Sequence, residues 1–252
     1  MKTKTLKMIC ATLLAIATTM VSQAQNPREI LRRVEDNMRG DASLTEMTMT
    51  TVRPRFTREV SMKAWTLGED YSLILITAPA RDQGTAFLKR GNEIWNYVPN
   101  IDRTVKMPPS MMSQSWMGSD FSNDDLVRGT STVDDYTHRL LRSQTINGLE
   151  CYVLELIPKP DAPIVYGKVI YYVSKQHYLP VKIENFDETN NLANTINFSE
   201  IKKMGGRDFP TVMEIIPADN PGHKTIITTR KADFSIRLTP QFFTLQNLTR
   251  VR

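Results

Sequence analysis

Apolar and polar residues alternate along most of this chain, which is the pattern of strands with one buried face. At 45–51 the alternation places Met47 and Met49 on one face of a predicted strand and polar residues on the other. The further predicted strands are 58–67, 71–77, 85–89, 94–98, 103–107, 136–146, 149–157, 166–174, 179–186, 191–203, 210–216 and 223–236. Turn sequences such as Gly91-Asn92, Asn147-Gly148 and Gly205-Gly206 separate neighbouring strands. About a dozen strands without βαβ alternation predict one antiparallel sheet.

The segment before the first strand has a helical period instead. Asn26 is a suitable N-cap, and Pro27 fits the first helical position. Glu29 can close a capping box, and Gly40 can end the helix. The apolar stripe of this helix consists of Ile30, Leu31, Val34 and Met38. A helix with one apolar stripe must cover another apolar surface.

Residues 108–132 interrupt the strands with a sequence rich in Met and Ser, and Ser122 with Asp125 forms a weak capping box for a short helix there. Residues 240–248 predict a terminal helical turn. These elements predict a mainly β fold (α+β by count): a single strongly curved antiparallel sheet forming an unclosed β-barrel. The N-terminal helix and short mid-chain helices are expected to cover its concave side. No shift in composition divides 25–252, so one domain is expected.

The first 24 residues have the pattern of a secretory signal. Three lysines precede a short apolar run at 9–17, and Ser22-Gln23-Ala24 supplies small residues before a cleavage site. The run is too short to span a membrane, and the polar Thr18-Thr19 argues against a buried helix. Cys10 lies near the start of the run rather than at its end, so a lipoprotein is not expected. We expect cleavage after Ala24 and a soluble protein in an extracytoplasmic compartment.

Composition and charge narrow the function classes. The chain has 252 residues, of which 40% are hydrophobic and 23% charged, as in an ordinary globular protein. Its net charge of +5 suggests an anionic partner. Three of the lysines lie in residues 1–24, so their removal leaves 29 basic against 27 acidic residues and a net charge of +2. The remaining charges are interspersed, so a nucleic-acid partner is not predicted.

Local signatures of catalysis and metal binding are missing from the sequence. The histidines are scattered at His138, His177 and His223. Without paired cysteines they do not predict a zinc site. The acidic stretch at 120–125 does not fit an EF-hand, because Asp125 and Ser131 stand where Gly and Glu are required. There is no phosphate-binding glycine loop and no nucleophile elbow, so neither an enzyme nor a cofactor is predicted.

The middle of the chain is unusually apolar. Four methionines fall within eleven residues beside Trp116, and aromatic residues occupy the flanking strands. The candidate residues for an apolar cavity or its lid are Met47, Met49, Trp65, Phe87, Trp95, Tyr97, Met107, Met111, Met112, Trp116, Met117 and Phe121. Such a segment needs an apolar partner, and methionine adapts to disordered acyl chains. The same residues could instead fill the core, and both interpretations stay open.

Two segments resemble the outer-membrane lipoprotein-sorting protein family, the LolA-like group. One is Gly-Thr-Ala-Phe-Leu-Lys-Arg-Gly-Asn-Glu-Ile-Trp-Asn-Tyr-Val-Pro at 84–99, and the other is Met-Gly-Ser-Asp-Phe-Ser-Asn-Asp-Asp-Leu at 117–126. The resemblance implies an unclosed β-barrel whose cavity receives the acyl chains of a lipoprotein or a free lipid in the periplasm. It also implies an inner-membrane transporter and an outer-membrane acceptor as partners, and no catalytic residues. We expect a monomer.

Three functions are open at this stage. The leading hypothesis is a periplasmic carrier or binding protein for lipid acyl chains. The second is a non-catalytic interaction or sensor module that partners a membrane transporter or a signalling protein. The third is a hydrolase of envelope lipids or glycans that would use Asp120, Asp124 or Asp125.

Overall fold

The computed structural model describes residues 25–123, 125, 132–160, 162 and 164–251. The strands are β1 (Ala42–Arg53), β2 (Phe56–Leu67), β3 (Tyr71–Ala78), β4 (Ala86–Arg90), β5 (Glu93–Val98), β6 (Arg103–Lys106), β7 (Tyr136–Leu140), β8 (Gln144–Ile146), β9 (Leu149–Pro158), β10 (Lys168–Ser174), β11 (Pro180–Phe186), β12 (Leu192–Met204), β13 (Arg207–Pro217) and β14 (Lys224–Asp233). Two α-helices lie entirely within the described residues, α1 (Pro27–Arg39) and α2 (Leu245–Leu248). Short 3₁₀ helices lie at Pro99–Ile101, Pro109–Met111, Trp116–Gly118 and Pro240–Phe242.

All these strands belong to one antiparallel sheet. Its order is β6-β5-β4-β3-β2-β1-β14-β13-β12-β11-β10-β9-β7, and β8 pairs with β9. The sheet has two free edges, at β6 and at β7–β8, so it is an open β-barrel. This confirms the predicted fold class.

Two local predictions were wrong. The predicted strand at 136–146 is broken into β7 and β8, because the register against β9 shifts by one residue between Leu140, opposite Leu154, and Gln144, opposite Cys151. Glu29 does not close a capping box. Its carboxylate pairs with two arginines of the next turn, Arg32 and Arg33.

The helix itself starts and ends as the sequence predicts. The Asn26 side chain accepts a hydrogen bond from the backbone N–H of Arg28, and Pro27 is the first helical residue. Gly40 follows the last residue with a φ of 63°, and its N–H donates to the carbonyl of Asp36. The apolar stripe of α1 is buried against the strands β9 and β10. The helix therefore covers one end of the sheet.

The strand register defines a continuous apolar face. Residues directly opposite each other in paired strands share a face. Met49 of β1 stands opposite Val60 of β2 and Ile227 of β14, and Ile227 stands opposite Met213 of β13. We call this surface the inner face, because α1 covers it at β9–β10 and Trp116 of the mid-chain segment covers it at β1–β3.

The outer face is covered at one end by the C-terminal segment 234–251. Phe243 and Leu248 of this segment are buried against Trp65, Leu73 and Leu88 of β2, β3 and β4. Both faces of the sheet are therefore covered near β2–β5. Among the residues described, no helix combines the length and the apolar composition that crossing a membrane requires.

Candidate ligand-binding cavity

A cavity of about 360 Å³ lies between α1 and the inner face of β10–β13. The last turns of α1 contribute Val34 and Met38, and Phe121 of the mid-chain segment also lines it. A second cavity of about 150 Å³ shares Tyr166, Tyr171 and four further residues with the first, so the two adjoin. Most of the wall is apolar, as in cavities that bind small apolar ligands.

Strand alternation produces this wall. Ile196 and Phe198 are two residues apart on β12, so both side chains point to the inner face. On β13 the same spacing places Met213 and Ile215 there, and the register sets Ile196 opposite Ile215 and Phe198 opposite Met213. Ile183 of β11 continues the row opposite Ile196. Each strand thus contributes one or two apolar side chains to a continuous surface.

Charged residues stand where α1 meets a neighbouring polar cleft of about 340 Å³. Glu35 and Arg39 line both the cavity and this cleft. The hydroxyl of Thr132 donates to Glu35 at 2.7 Å, and Arg39 pairs with Glu69 at 3.4 Å. Burial raises the pKa of Glu69, and the nearby Arg39 only partly opposes this. The polar groups at this boundary are therefore already paired with each other.

The structure brings together several of the predicted residues, but as core. Trp116 is 1% exposed, packs on Phe87 with 5.5 Å between ring centroids, and belongs to a buried cluster with Met49. Met47 and Met117 pack against the same cluster. These five side chains fill the inner face at β1–β4 rather than line the large cavity.

The remaining predicted residues are dispersed. Phe121 lines the large cavity, and Met107 lies beside Trp116 at a small pocket of about 20 Å³. Met111 is 39% exposed and Met112 is half-buried. Neither of these two methionines is among the residues that line the cavities described above.

Three of the aromatic residues predicted for the cavity lie on the opposite face of the sheet. Trp65 of β2 and Trp95 and Tyr97 of β5 lie on the outer face, where they pack with the C-terminal segment 234–251. The alternation within β5 requires this, because Asn96 points to the inner face opposite Phe87. These three residues are therefore separated from the cavity by the sheet.

The sequence predicted the strands β10–β13, but their side chains were not among the candidate residues for the cavity wall. Their signal was the apolar residue at every second position, for example Ile196 with Phe198 and Met213 with Ile215. That signal identifies one face of each strand. It does not say which face lies beneath α1.

The acidic residues considered for a hydrolase have structural partners where they are described. Asp120 accepts hydrogen bonds from Arg53 at 3.0 Å and from the Thr225 hydroxyl at 2.7 Å. Asp125 accepts from the backbone N–H of Ser122 at 2.7 Å, and its own N–H donates to the Ser122 hydroxyl at 3.0 Å. This is the reciprocal geometry of the predicted capping box. Asp124 lies outside the described residues.

Cysteine and metal chemistry have little support within the described residues. Cys151 is free and buried, and burial raises the pKa of its thiol, which favours the unreactive protonated form. Within the described ranges, no group of three or more His, Cys, Asp and Glu side chains is arranged to hold a metal ion.

Comparisons with known proteins agree with this architecture. A sequence model of a family described as "Uncharacterized protein" matches residues 68–250. The chain belongs to this family. A search of curated proteins gives no match.

The similar solved structures connect the fold to the lipoprotein-sorting group. A DUF1329 family protein from Desulfovibrio piger is 25% identical with a TM-score of 0.80, over 89% of this chain and 100% of that one. An outer-membrane lipoprotein-sorting protein domain from Vibrio parahaemolyticus is 25% identical with a TM-score of 0.78, over 89% and 98%. A LolA superfamily protein from Nitrosomonas europaea shares the fold at 23% identity with a TM-score of 0.75, over 88% and 99%. The resemblance noted from the sequence is confirmed.

Proposed function

We propose that this protein is a periplasmic binding or carrier protein that holds the acyl chains of a lipoprotein or a lipid in the cavity beneath α1. The observation that carries the proposal is the cavity of about 360 Å³, walled by apolar side chains of α1 and β10–β13. The predicted secretory signal supports the location, and the lipoprotein-sorting domain from Vibrio parahaemolyticus supports the class of cargo.

Burial of the chain supplies the binding energy in this proposal. Each methylene that leaves water contributes about 0.8 kcal/mol, so a cavity that takes up much of an acyl chain can hold an otherwise insoluble ligand. No covalent chemistry is required. Loading and release then occur by transfer from a membrane transporter and to an acceptor at the outer membrane.

Filling the cavity tests this proposal. Ile196→Phe places a larger side chain into the cavity, and Thr195→Phe, one residue away on the outer face of the same strand, is its matched control. Binding is measured by displacement of a fluorescent fatty-acid analogue with palmitate. We expect Ile196→Phe to weaken binding at least about fivefold at unchanged thermal stability, and Thr195→Phe to leave it unchanged.

Two results would overturn the proposal. One is the absence of saturable binding of any acyl chain to the unmodified protein. The other is binding that both phenylalanine variants leave unchanged, since the chain would then occupy another surface.

A further inference from the structure

We infer that the smaller part of the cavity contains a subsite, formed by Asn185 and Asn194, for a hydroxyl or amide group carried on the bound chain. The inference rests on the proposed function and adds the chemical class of the ligand. The preferred cargo is then an acyl chain with a polar substituent or linkage, rather than a plain hydrocarbon chain.

The two asparagines form a buried cross-strand pair on the inner face. Asn185 of β11 stands directly opposite Asn194 of β12, two residues from Ile183 and Ile196 respectively. They are only 6% and 8% exposed. The Asn185 amide donates to the carboxamide oxygen of Asn194 at 2.8 Å, and the Asn194 amide donates to the Tyr166 hydroxyl at 2.9 Å. A series of three hydrogen-bonded side chains thus runs along an otherwise apolar wall.

This series of hydrogen-bonded side chains ends at the cavity, where Asn185 can form a further hydrogen bond. Asn185 lines the cavity of about 150 Å³. Within the described residues its carboxamide oxygen accepts no hydrogen bond, although the residue is buried. Among the described residues, this oxygen is not one of the fully buried side-chain atoms that lack a partner, so it is open to the cavity. A ligand that enters this part of the cavity takes the place of water, and a donor on the ligand would replace the hydrogen bond that water gives to the oxygen.

The carboxamide of Asn185 can present either a hydrogen-bond acceptor or a hydrogen-bond donor to the cavity. If the hydrogen bonds run in the reverse direction, from the Tyr166 hydroxyl through Asn194 to Asn185, the amide N–H of Asn185 points into the cavity instead of its oxygen. A hydroxyl group can satisfy both arrangements, because it donates and accepts. An amide group can do the same with its N–H and its carbonyl.

Three other polar residues of the cavity wall, none of them a tyrosine, differ in this respect. Thr132 donates to Glu35, Arg39 pairs with Glu69, and the carboxylate of Asp125 accepts from Ser122. Each of them is directed to a protein partner. A cross-strand pair that served the sheet alone would not need an open acceptor at the cavity, and the experiment below separates these two roles.

Hexadecanoic acids that carry one hydroxyl at different positions, compared with palmitate, test the subsite. The acids compete with a fluorescent fatty-acid analogue on the full chain. We expect the unmodified protein to bind one positional isomer about 2- to 10-fold more tightly than palmitate, as one additional net hydrogen bond would give. Asn185→Leu, which is similar in shape, should abolish this preference while palmitate still binds.

Asn197→Leu is the matched control, because Asn197 lies on the outer face of β12, opposite Lys182. It should retain the preference. If Asn185→Leu does not fold, the double variant Asn185→Leu/Asn194→Leu removes both partners of the buried bond and replaces the first variant.

The outcomes separate the two proposals. Binding of acyl chains with no preference at any hydroxyl position, or a preference that survives in Asn185→Leu, overturns the subsite and leaves the carrier function standing. If no chain binds, both proposals fail.

Discussion

Arg53 and Asp120 form a buried ion pair that joins the hairpin of β1 and β2 to the mid-chain segment. The Nη1 and Oδ2 atoms are 3.0 Å apart, and the side chains are only 12% and 9% exposed. Arg53 also donates to the carbonyl of Gly118 at 2.9 Å, and Arg58 of the same hairpin donates to the carbonyl of Met117 at 3.1 Å. The two arginines therefore hold the segment in place, with its one tryptophan directed onto the inner face.

Removing the charge of Asp120 should destabilise the fold. Asp120→Asn keeps the shape of the side chain but leaves the buried Arg53 without a counter-charge, so we expect the free energy of unfolding to fall by about 3 kcal/mol. Urea denaturation measures this. The control is Lys202→Gln, which removes the exposed ion pair between Lys202 and Glu200. The two atoms are 2.6 Å apart and the side chains are 60% and 55% exposed, so this variant should lose less than about 1 kcal/mol. Equal losses in the two variants would contradict the structural role of the buried pair.

Trp116 should behave as a core residue. It is 1% exposed, so Trp116→Ala should lower the free energy of unfolding by about 3–5 kcal/mol. Trp116→Phe should cost clearly less, because within the described residues the buried indole N–H has no acceptor to lose. Met111→Ala, at a methionine that is 39% exposed, should change stability by no more than about 0.5 kcal/mol. Weaker acyl-chain binding by Trp116→Ala at unchanged stability would instead make this residue part of the ligand site.

Most of the strands could be predicted from the sequence, because their alternation and their turns are local signals. The Gly91-Asn92 and Asn147-Gly148 turns connect β4 to β5 and β8 to β9 as predicted. The break between β7 and β8 could not be predicted, because it arises from a register shift against β9.

The position of the cavity was harder to predict from the sequence than the strands were. The cluster of methionines around Trp116 is a conspicuous local feature, but its tryptophan is core. The cavity wall combines side chains such as Val34 of α1 with Ile196 and Met213, each unremarkable in its own strand or helix. Val34 is more than 100 positions away from the two strand residues in the sequence, and alternation within one segment cannot specify such a contact between distant segments.

The turn between β12 and β13 should tolerate substitution less well than the turn between β4 and β5. Gly205 and Gly91 have nearly the same φ, +52° and +54°, so Gly→Ala should cost about 1–2 kcal/mol at either position for the left-handed backbone. A Cβ at Gly205 would also lie 2.9 Å from the carbonyl oxygen of Ala232 and 2.7 Å from the ring of Phe234, whereas nothing lies within 4 Å at Gly91. Urea denaturation should show an additional loss of about 1–3 kcal/mol for Gly205→Ala. Equal losses would mean that the turn can move away from the backbone of Ala232.

The protein should lose stability in alkaline solution in part through Tyr172. Burial and, second to it, the hydrogen bond that the phenol donates to Glu184 at 2.9 Å together raise the pKa of Tyr172 to about 12. Because the pKa in the folded state lies above the unfolded value of about 10, this contribution is fully present below pH 10 and is lost as the pH rises towards 12.

We therefore expect the free energy of unfolding to fall between pH 10 and pH 11.5, with Tyr172 accounting for at most about 1.5 kcal/mol of the fall. Tyr172→Phe cannot ionise, so its urea-denaturation midpoints at these two pH values should lie closer together than those of the unmodified protein. Glu184→Gln removes the charged acceptor but keeps the phenol, so it should give an intermediate difference. If Tyr172→Phe shows the same loss as the unmodified protein, other groups, such as the buried Tyr171 whose pKa burial also raises, carry the alkaline transition.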